Sequence, residues 1–196
     1  MRLIFTFLLA LSLLTGCASI LPKGPPAAKL YTLNPPQVTQ SAKRLPVSLQ
    51  VLMPQAAPGL ETERIALRKD DNQIDYYADV RWASSLNAMV QSLLVESFEN
   101  SHSLKAVGND LVEMSPSHSL LIEIRDFQIE GSQAHVRLTA KLMKADKQEI
   151  ILTRSYDEKA AVDSNDMTHI MKAFDNAYQE AARKLVADML AQFGRK

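Results

Sequence analysis

The chain has 196 residues, 22 Lys+Arg against 22 Asp+Glu, 46% hydrophobic residues and one cysteine. That length suits one globular domain with a real core and a short appendage, and a lone cysteine makes neither an internal disulfide nor a cysteine-based zinc cluster. Zero net charge leaves no basic surplus for a nucleic-acid partner, and a mean hydropathy of −0.11 excludes a polytopic membrane protein.

The N-terminus reads as an address. Arg2 precedes an apolar run from Leu3 to Leu14 that is too short to span a bilayer, which takes about 20 apolar residues. Leu14-Thr15-Gly16-Cys17 then resembles the lipobox of bacterial lipoproteins: a leucine, two small residues that fit a peptidase cleft, and a cysteine whose thiol accepts diacylglycerol. The resemblance implies cleavage before Cys17, acylation of the new amine, and no cofactor beyond the covalent lipid. Two or three acyl chains anchor stably, at about 0.8 kcal/mol per buried methylene. Ala18, rather than Asp, follows the cysteine; by resemblance to Gram-negative lipoproteins this favours the periplasmic face of the outer membrane. Ala18 to Ala28 holds Pro22, Gly24, Pro25 and Pro26, an extended tether with a reach of roughly 30 Å. The expected division is a signal peptide (1–16), a lipidated cysteine with a proline-rich tether (17–29) and one domain (30–196).

Within the domain, Leu30–Leu33 is a short strand candidate stopped by Asn34-Pro35-Pro36. Val47 to Met53 alternates, with Val47, Leu49 and Val51 on one face, as a half-buried strand does. Ile65–Arg68 and Ile74–Tyr77 are expected to pair as a hairpin. Ser84 or Ser85 caps a helix to about Glu99, with an apolar stripe of Leu86, Met89, Val90, Leu93, Leu94 and Phe98. A short strand near Leu104–Val107 follows. Leu120 to Glu130 is a strand whose apolar face changes phase after Ile124, which calls for a bulge at Arg125-Asp126. After a turn at Gly131-Ser132, Val136, Leu138, Ala140 and Leu142 alternate with His135, Arg137, Thr139 and Lys141. Glu149 to Ala160 returns as a third strand. The last helix takes Asp163 or Ser164 as its N-cap, with Asp166 in its first turn, and carries a stripe from Met167 to Phe193. The sum is an α+β fold: an antiparallel sheet packed against two amphipathic helices in a two-layer single domain.

Motifs for chemistry are scarce. His102, His118, His135 and His169 show no HExxH or HxH spacing, and there is no GxSxG elbow, P-loop or GxGxxG. Asp70-Asp71-Asn72 lacks the residues of an EF-hand and reads as a turn. Glu61/Glu63 and Asp157/Glu158 are expected to face solvent. The methionines of the two stripes suit core packing or an apolar path, and Trp82 suits a core corner or an interface anchor. No metal site and no catalytic residue is expected.

The order of lipobox, Tyr31-Thr32-Leu33, and then Ile74-Asp75-Tyr76-Tyr77-Ala78-Asp79-Val80-Arg81-Trp82-Ala83 opening a helix at Ser84-Ser85-Leu86 resembles the ABC-type transport auxiliary lipoproteins, the family that includes the paraquat-inducible protein C lipoproteins. The similarity covers roughly residues 30–193, with Ser85 where the family often has proline. It implies that Tyr31, Leu33, Tyr76, Tyr77, Trp82 and Leu86 are structural. It also implies a non-enzymatic role: docking at the outer membrane to an MCE-domain periplasmic protein of an ABC transporter that moves lipids or other hydrophobic molecules. A homo-oligomer stays open. The alternative is an adaptor of lipopolysaccharide assembly or of cell-wall synthase activation. His135, Arg137, Thr139 and Lys141 are expected on an exposed partner face, where reversing Arg137 and Lys141 to Glu leaves folding intact.

Overall fold

The computed structural model describes residues 27–40, 42–70 and 72–194. Cys17, the signal segment 1–16 and most of the tether lie outside the described residues.

The chain forms β1 (Lys29–Tyr31), β2 (Leu45–Val51), β3 (Gln55–Ala56), β4 (Arg64–Asp70), β5 (Gln73–Trp82), α1 (Leu86–Asn100), β6 (Leu104–Asn109), β7 (His118–Glu130), β8 (Gln133–Lys144), β9 (Glu149–Ala161) and α2 (Met167–Gly194). All nine strands join one sheet, and β7 is its hub. One edge of β7 pairs in succession with β2, β3 and β4, each parallel. Its other edge pairs along its whole length with β8, antiparallel, and β9 follows antiparallel to β8. Outside β2 lies β6, parallel; outside β4 lie β5, antiparallel, and then β1, parallel to β5.

The α+β class holds, but the sheet is mixed rather than antiparallel. The hairpins β4–β5 and β7–β8–β9 are local and legible from turns. The parallel pairings join strands far apart in sequence, through crossovers that carry no local signal.

The expected bulge is present. The β7–β8 register slips by one between Ile124 and Asp126, leaving Arg125 as the extra residue. Leu120, Ile122 and Ile124 before it, and Phe127 and Ile129 after it, are thereby all buried. They pair with Leu142, Ala140, Leu138, Val136 and Ala134, so one continuous apolar face forms across the two strands.

Both helices cover that face. The α1 stripe is buried as its spacing requires: Leu86, Met89, Val90, Leu93, Leu94 and Phe98. Ser85 stands at its N-cap, but its side chain makes no capping hydrogen bond. The helix start is fixed instead by the backbone N–H of Leu86, which donates to the Thr62 carbonyl at 3.1 Å. At α2 the cap is Asp166, not Asp163 or Ser164. Its Oδ1 accepts from the backbone N–H of Thr168 at 3.0 Å and of His169 at 3.2 Å. Placing the cap three residues before His169 matches the reach of a short carboxylate to the orphan N–H groups of a first turn. With 28 residues, α2 spans ~40 Å. The segment after β1 runs beside it. Asn34 donates its backbone N–H and its side-chain amide to the two oxygens of Asp175, and Leu33 and Pro36 are buried.

Candidate functional site

The residues of the mid-chain junction meet in space. The backbone N–H of Ala83 donates to the Tyr31 carbonyl and that of Trp82 to the Glu63 carbonyl, both at 2.7 Å. Edge strand β1 is thus tied to the start of α1. The Trp82 indole, 1% exposed, stands edge-on to Phe127 at 5.9 Å and to Phe174 at 5.4 Å. Phe127 and Phe174 stack on one another at 5.5 Å. Trp82 is therefore a core corner and not an interface anchor. The Tyr76 hydroxyl donates to the Gly59 carbonyl at 2.9 Å, and the Arg64 guanidinium lies 3.7 Å over its ring. Gly59 sits at φ +87, a backbone conformation that glycine adopts without steric cost. Tyr77 is half-buried; Leu33 and Leu86 are buried.

The sheet face away from the helices carries a charge lattice that sequence reading missed. The bulge that keeps Phe127 and Ile129 inside turns Asp126 and Gln128 to this outer face, where both are buried. Arg68 reaches Asp126 at 3.3 Å and Glu130 at 3.9 Å, and Arg137 reaches Asp126 at 2.5 Å. His135 Nδ1 lies 2.9 Å from Glu130, and its Nε2 lies 2.8 Å from Asp157. Lys159 reaches Glu130 at 3.4 Å, and Lys141 reaches Glu123 at 2.5 Å. Burial pushes the Asp126 carboxyl up, but the Gln128 hydrogen bond and the charges of Arg137 and His135 outweigh it and hold it below its ordinary value. Burial likewise opposes, and the hydrogen bonds from His135 and Lys159 overcome, at Glu130. At Glu123 the Lys141 hydrogen bond leads the lowering.

The four residues expected on a partner face do point away from the helices, but they are not four free side chains. His135 is 8% exposed and bridges two carboxylates. Arg137, itself half-exposed, pairs with a buried aspartate, so its reversal to Glu would face Asp126 with a like charge and destabilise the fold. Thr139 bonds Ser155, and Lys141 is engaged by Glu123. One signal was available in the sequence: Asp126 and Gln128 alternate with Phe127 and Ile129, which is what a strand with a polar outer face looks like.

The remaining candidates resolve into structure. His169 lies beside its cap, 2.5 Å from Asp166. The Ser164 hydrogen bond, then the His169 backbone, holds Asp166 down to about 2. Met89 and Met189 are buried in the core, and Met167 and Met171 pack half-buried against it. Among the described residues no cluster of three His, Cys, Asp or Glu is placed to hold a metal ion, and no helix is long and apolar enough to cross a membrane.

The polar clusters of the α+β domain are ion pairs and helix caps, and the comparisons give its family. Residues 31–186 match the ABC-type transport auxiliary lipoprotein component family, and the chain belongs to it. The uncharacterized protein bll6063 of Bradyrhizobium diazoefficiens is 30% identical over 180 residues, which cover 89% of this chain and 48% of that protein. The chain thus spans about half the length of this relative. Protein XCC0632 from Xanthomonas campestris is similar at 25% identity with a TM-score of 0.77, over 85% of this chain and 97% of that one. The hypothetical protein CT253 from Chlamydia trachomatis shares the fold, with a TM-score of 0.53 at 9% identity over 75% of this chain and 98% of that one.

Proposed function

We propose that the protein is a non-enzymatic, lipid-anchored docking subunit of an ABC/MCE-type system that moves lipids or other hydrophobic molecules between the two membranes. The anchor is Cys17 and the site of action is the periplasmic face of the outer membrane. The observation that carries this reading is the family match across residues 31–186, most of the folded domain. The geometry supports it: the domain is braced internally by the Trp82 cluster and leaves one sheet face uncovered by helices.

The partner is an MCE-domain periplasmic protein, and its contact is the open face around Arg137, Thr139 and Lys141. Acidic and basic groups alternate there, which favours orientation and register over raw affinity. Pull-down of the full lipoprotein from its own host's membranes tests both statements. An MCE protein is expected in the wild-type capture. Lys141→Ala, which leaves the Arg137–Asp126 pair untouched, is expected to weaken capture and its salt dependence. Unchanged capture by that variant moves the contact off this face. Absence of any MCE protein from the wild-type capture defeats the transport reading and leaves the adaptor of another envelope machine in its place.

A further inference from the structure

His135 is held from both sides. It lies on β8 between two carboxylates, one from each neighbouring strand: Nδ1 is 2.9 Å from Glu130 at the end of β7, and Nε2 is 2.8 Å from Asp157 on β9. A neutral imidazole carries one N–H and one bare nitrogen, and a bare nitrogen would meet an ionised carboxylate lone pair to lone pair. Only the doubly protonated ring donates to both oxygens at once. The residue is 8% exposed, so the two carboxylates, and not solvent, are its main partners. Two charge-assisted bonds therefore tie three strands together through one proton-dependent side chain.

The groups around the ring come from four strands. On β7 they are Asp126, Glu130 and the Gln128 amide, which donates to Asp126 at 2.9 Å. From β4 comes Arg68, within ion-pair reach of both Asp126 and Glu130. From β8 comes Arg137, paired with Asp126, and from β9 come Asp157 and Lys159, the latter paired with Glu130. Three carboxylates thus balance three fixed cations, and His135 is the member whose charge can change near neutral pH. The carboxylates differ in what they keep if the ring loses a proton. Glu130 keeps Lys159 and Arg68, and Asp126 keeps Arg68 and Arg137. Among the described residues, His135 is the only cation within ion-pair distance of Asp157. Arg137 stands directly opposite Asp157 in the β8–β9 register, and opposed side chains on one sheet face lie about 5 Å apart at Cβ.

We infer that His135 is a proton-operated latch on the open sheet face. With the ring doubly protonated, Asp157 is held by His135 and Arg137 is left to Asp126. When the ring loses a proton, its remaining N–H stays with Glu130, because Asp157, with its side chain 53% exposed, is the carboxylate that water takes over more easily. Asp157 is then released, and Arg137, the fixed cation directly across from it, is drawn from Asp126 toward it. Rising pH thus lowers the charge of the face by one and moves one of its contact residues, a charge change biasing a two-state side chain. As a control on partner capture the latch rests on the docking reading; the state of the ring and the shift of Arg137 do not.

Nitrogen NMR of the full lipoprotein in mild detergent, with isotope-labelled histidine and arginine, tests the latch. The chain has 4 histidines, and loss of a signal in His135→Gln assigns the one concerned. His118 serves as the internal reference, since burial and the Lys144 charge push its imidazole down and leave it neutral at about pH 7. At that pH both ring nitrogens of His135 are expected to carry protons. On raising the pH toward about 9, one is expected to become bare, and the Arg137 Nε signal to move with the same midpoint. Asp157→Asn is expected to abolish the Arg137 movement while the ring still titrates. A His135 ring already neutral at about pH 7, or an Arg137 signal that ignores the titration of the ring, overturns the inference. Over the same range, capture of the MCE partner by the wild type is expected to fall roughly threefold, the scale of one exposed charge contact, and to stay level in His135→Gln. A wild-type capture that ignores pH overturns the latch as a control on docking. Absence of the partner at every pH removes the docking reading, and the two NMR signals then decide the latch by themselves.

Discussion

Trp82 joins three stretches of sequence at one point: the end of β5, the bulged strand β7 through Phe127, and α2 through Phe174. The edge-to-face contacts add about 0.5–1.5 kcal/mol each to the area it buries. Trp82→Ala leaves a void among rings that cannot all collapse into it, and a loss of about 3–5 kcal/mol is expected from urea unfolding. A loss below about 1 kcal/mol would show that the indole is not part of the core. The aromatic residues around it were legible one by one as apolar stripe members. Their convergence was not, because Trp82, Phe127 and Phe174 are separated by dozens of residues and no local period links them.

Among elements, β7 decides most. Its thirteen residues serve two faces, and the single extra residue at Arg125 switches which parity points inward. The apolar half of that switch was visible in the sequence as a change of phase. The polar half depends on partners elsewhere in the chain: Asp126, Gln128 and Glu130 become the centre of the outer lattice, with partners on β4, β8 and β9. This lattice has a consequence for acid stability. Glu123, Asp126 and Glu130 all ionise more readily in the folded protein than their ordinary values allow. As pH falls, the unfolded chain takes up protons first, at the usual carboxylate values of about 4. The stabilisation is thus complete above that range and is lost as pH descends through the lower folded values. The urea midpoint is expected to fall steadily below about pH 4.5, and Glu130→Gln is expected to make that fall shallower. An acid limb of equal slope in the variant would remove Glu130 from the account.

For the whole molecule, anchoring and folding are expected to be separable. Among the described residues the first element is β1 at Lys29, and the buried core runs from Leu33 to Met189. Cys17→Ser is therefore expected to yield an unprocessed precursor that takes up no labelled palmitate, while its domain unfolds at the same urea concentration as the wild type. Normal palmitate labelling of that variant contradicts the anchor assignment. The segment from Leu33 to Pro36 belongs to the same scale. In the sequence it is a strand ended by prolines; in the structure it runs beside α2 through the Asn34–Asp175 hydrogen bonds.

What the sequence determined by itself is what depends on near neighbours along the chain. The periods of Val47–Val51, Leu86–Phe98 and Val136–Leu142 set which side chains go inward, and turn residues set the hairpins. The lipobox and the order of motifs from Tyr31 to Leu86 pointed to the family. Only the tertiary structure decided the parallel pairings around β7, the replacement of a serine cap by a contact from Thr62, and the lattice that closes over His135 and Arg137. Each of these joins groups that are distant in sequence. Whether such groups meet depends on crossovers and on burial of the common apolar face, and neither leaves a periodic trace in the chain.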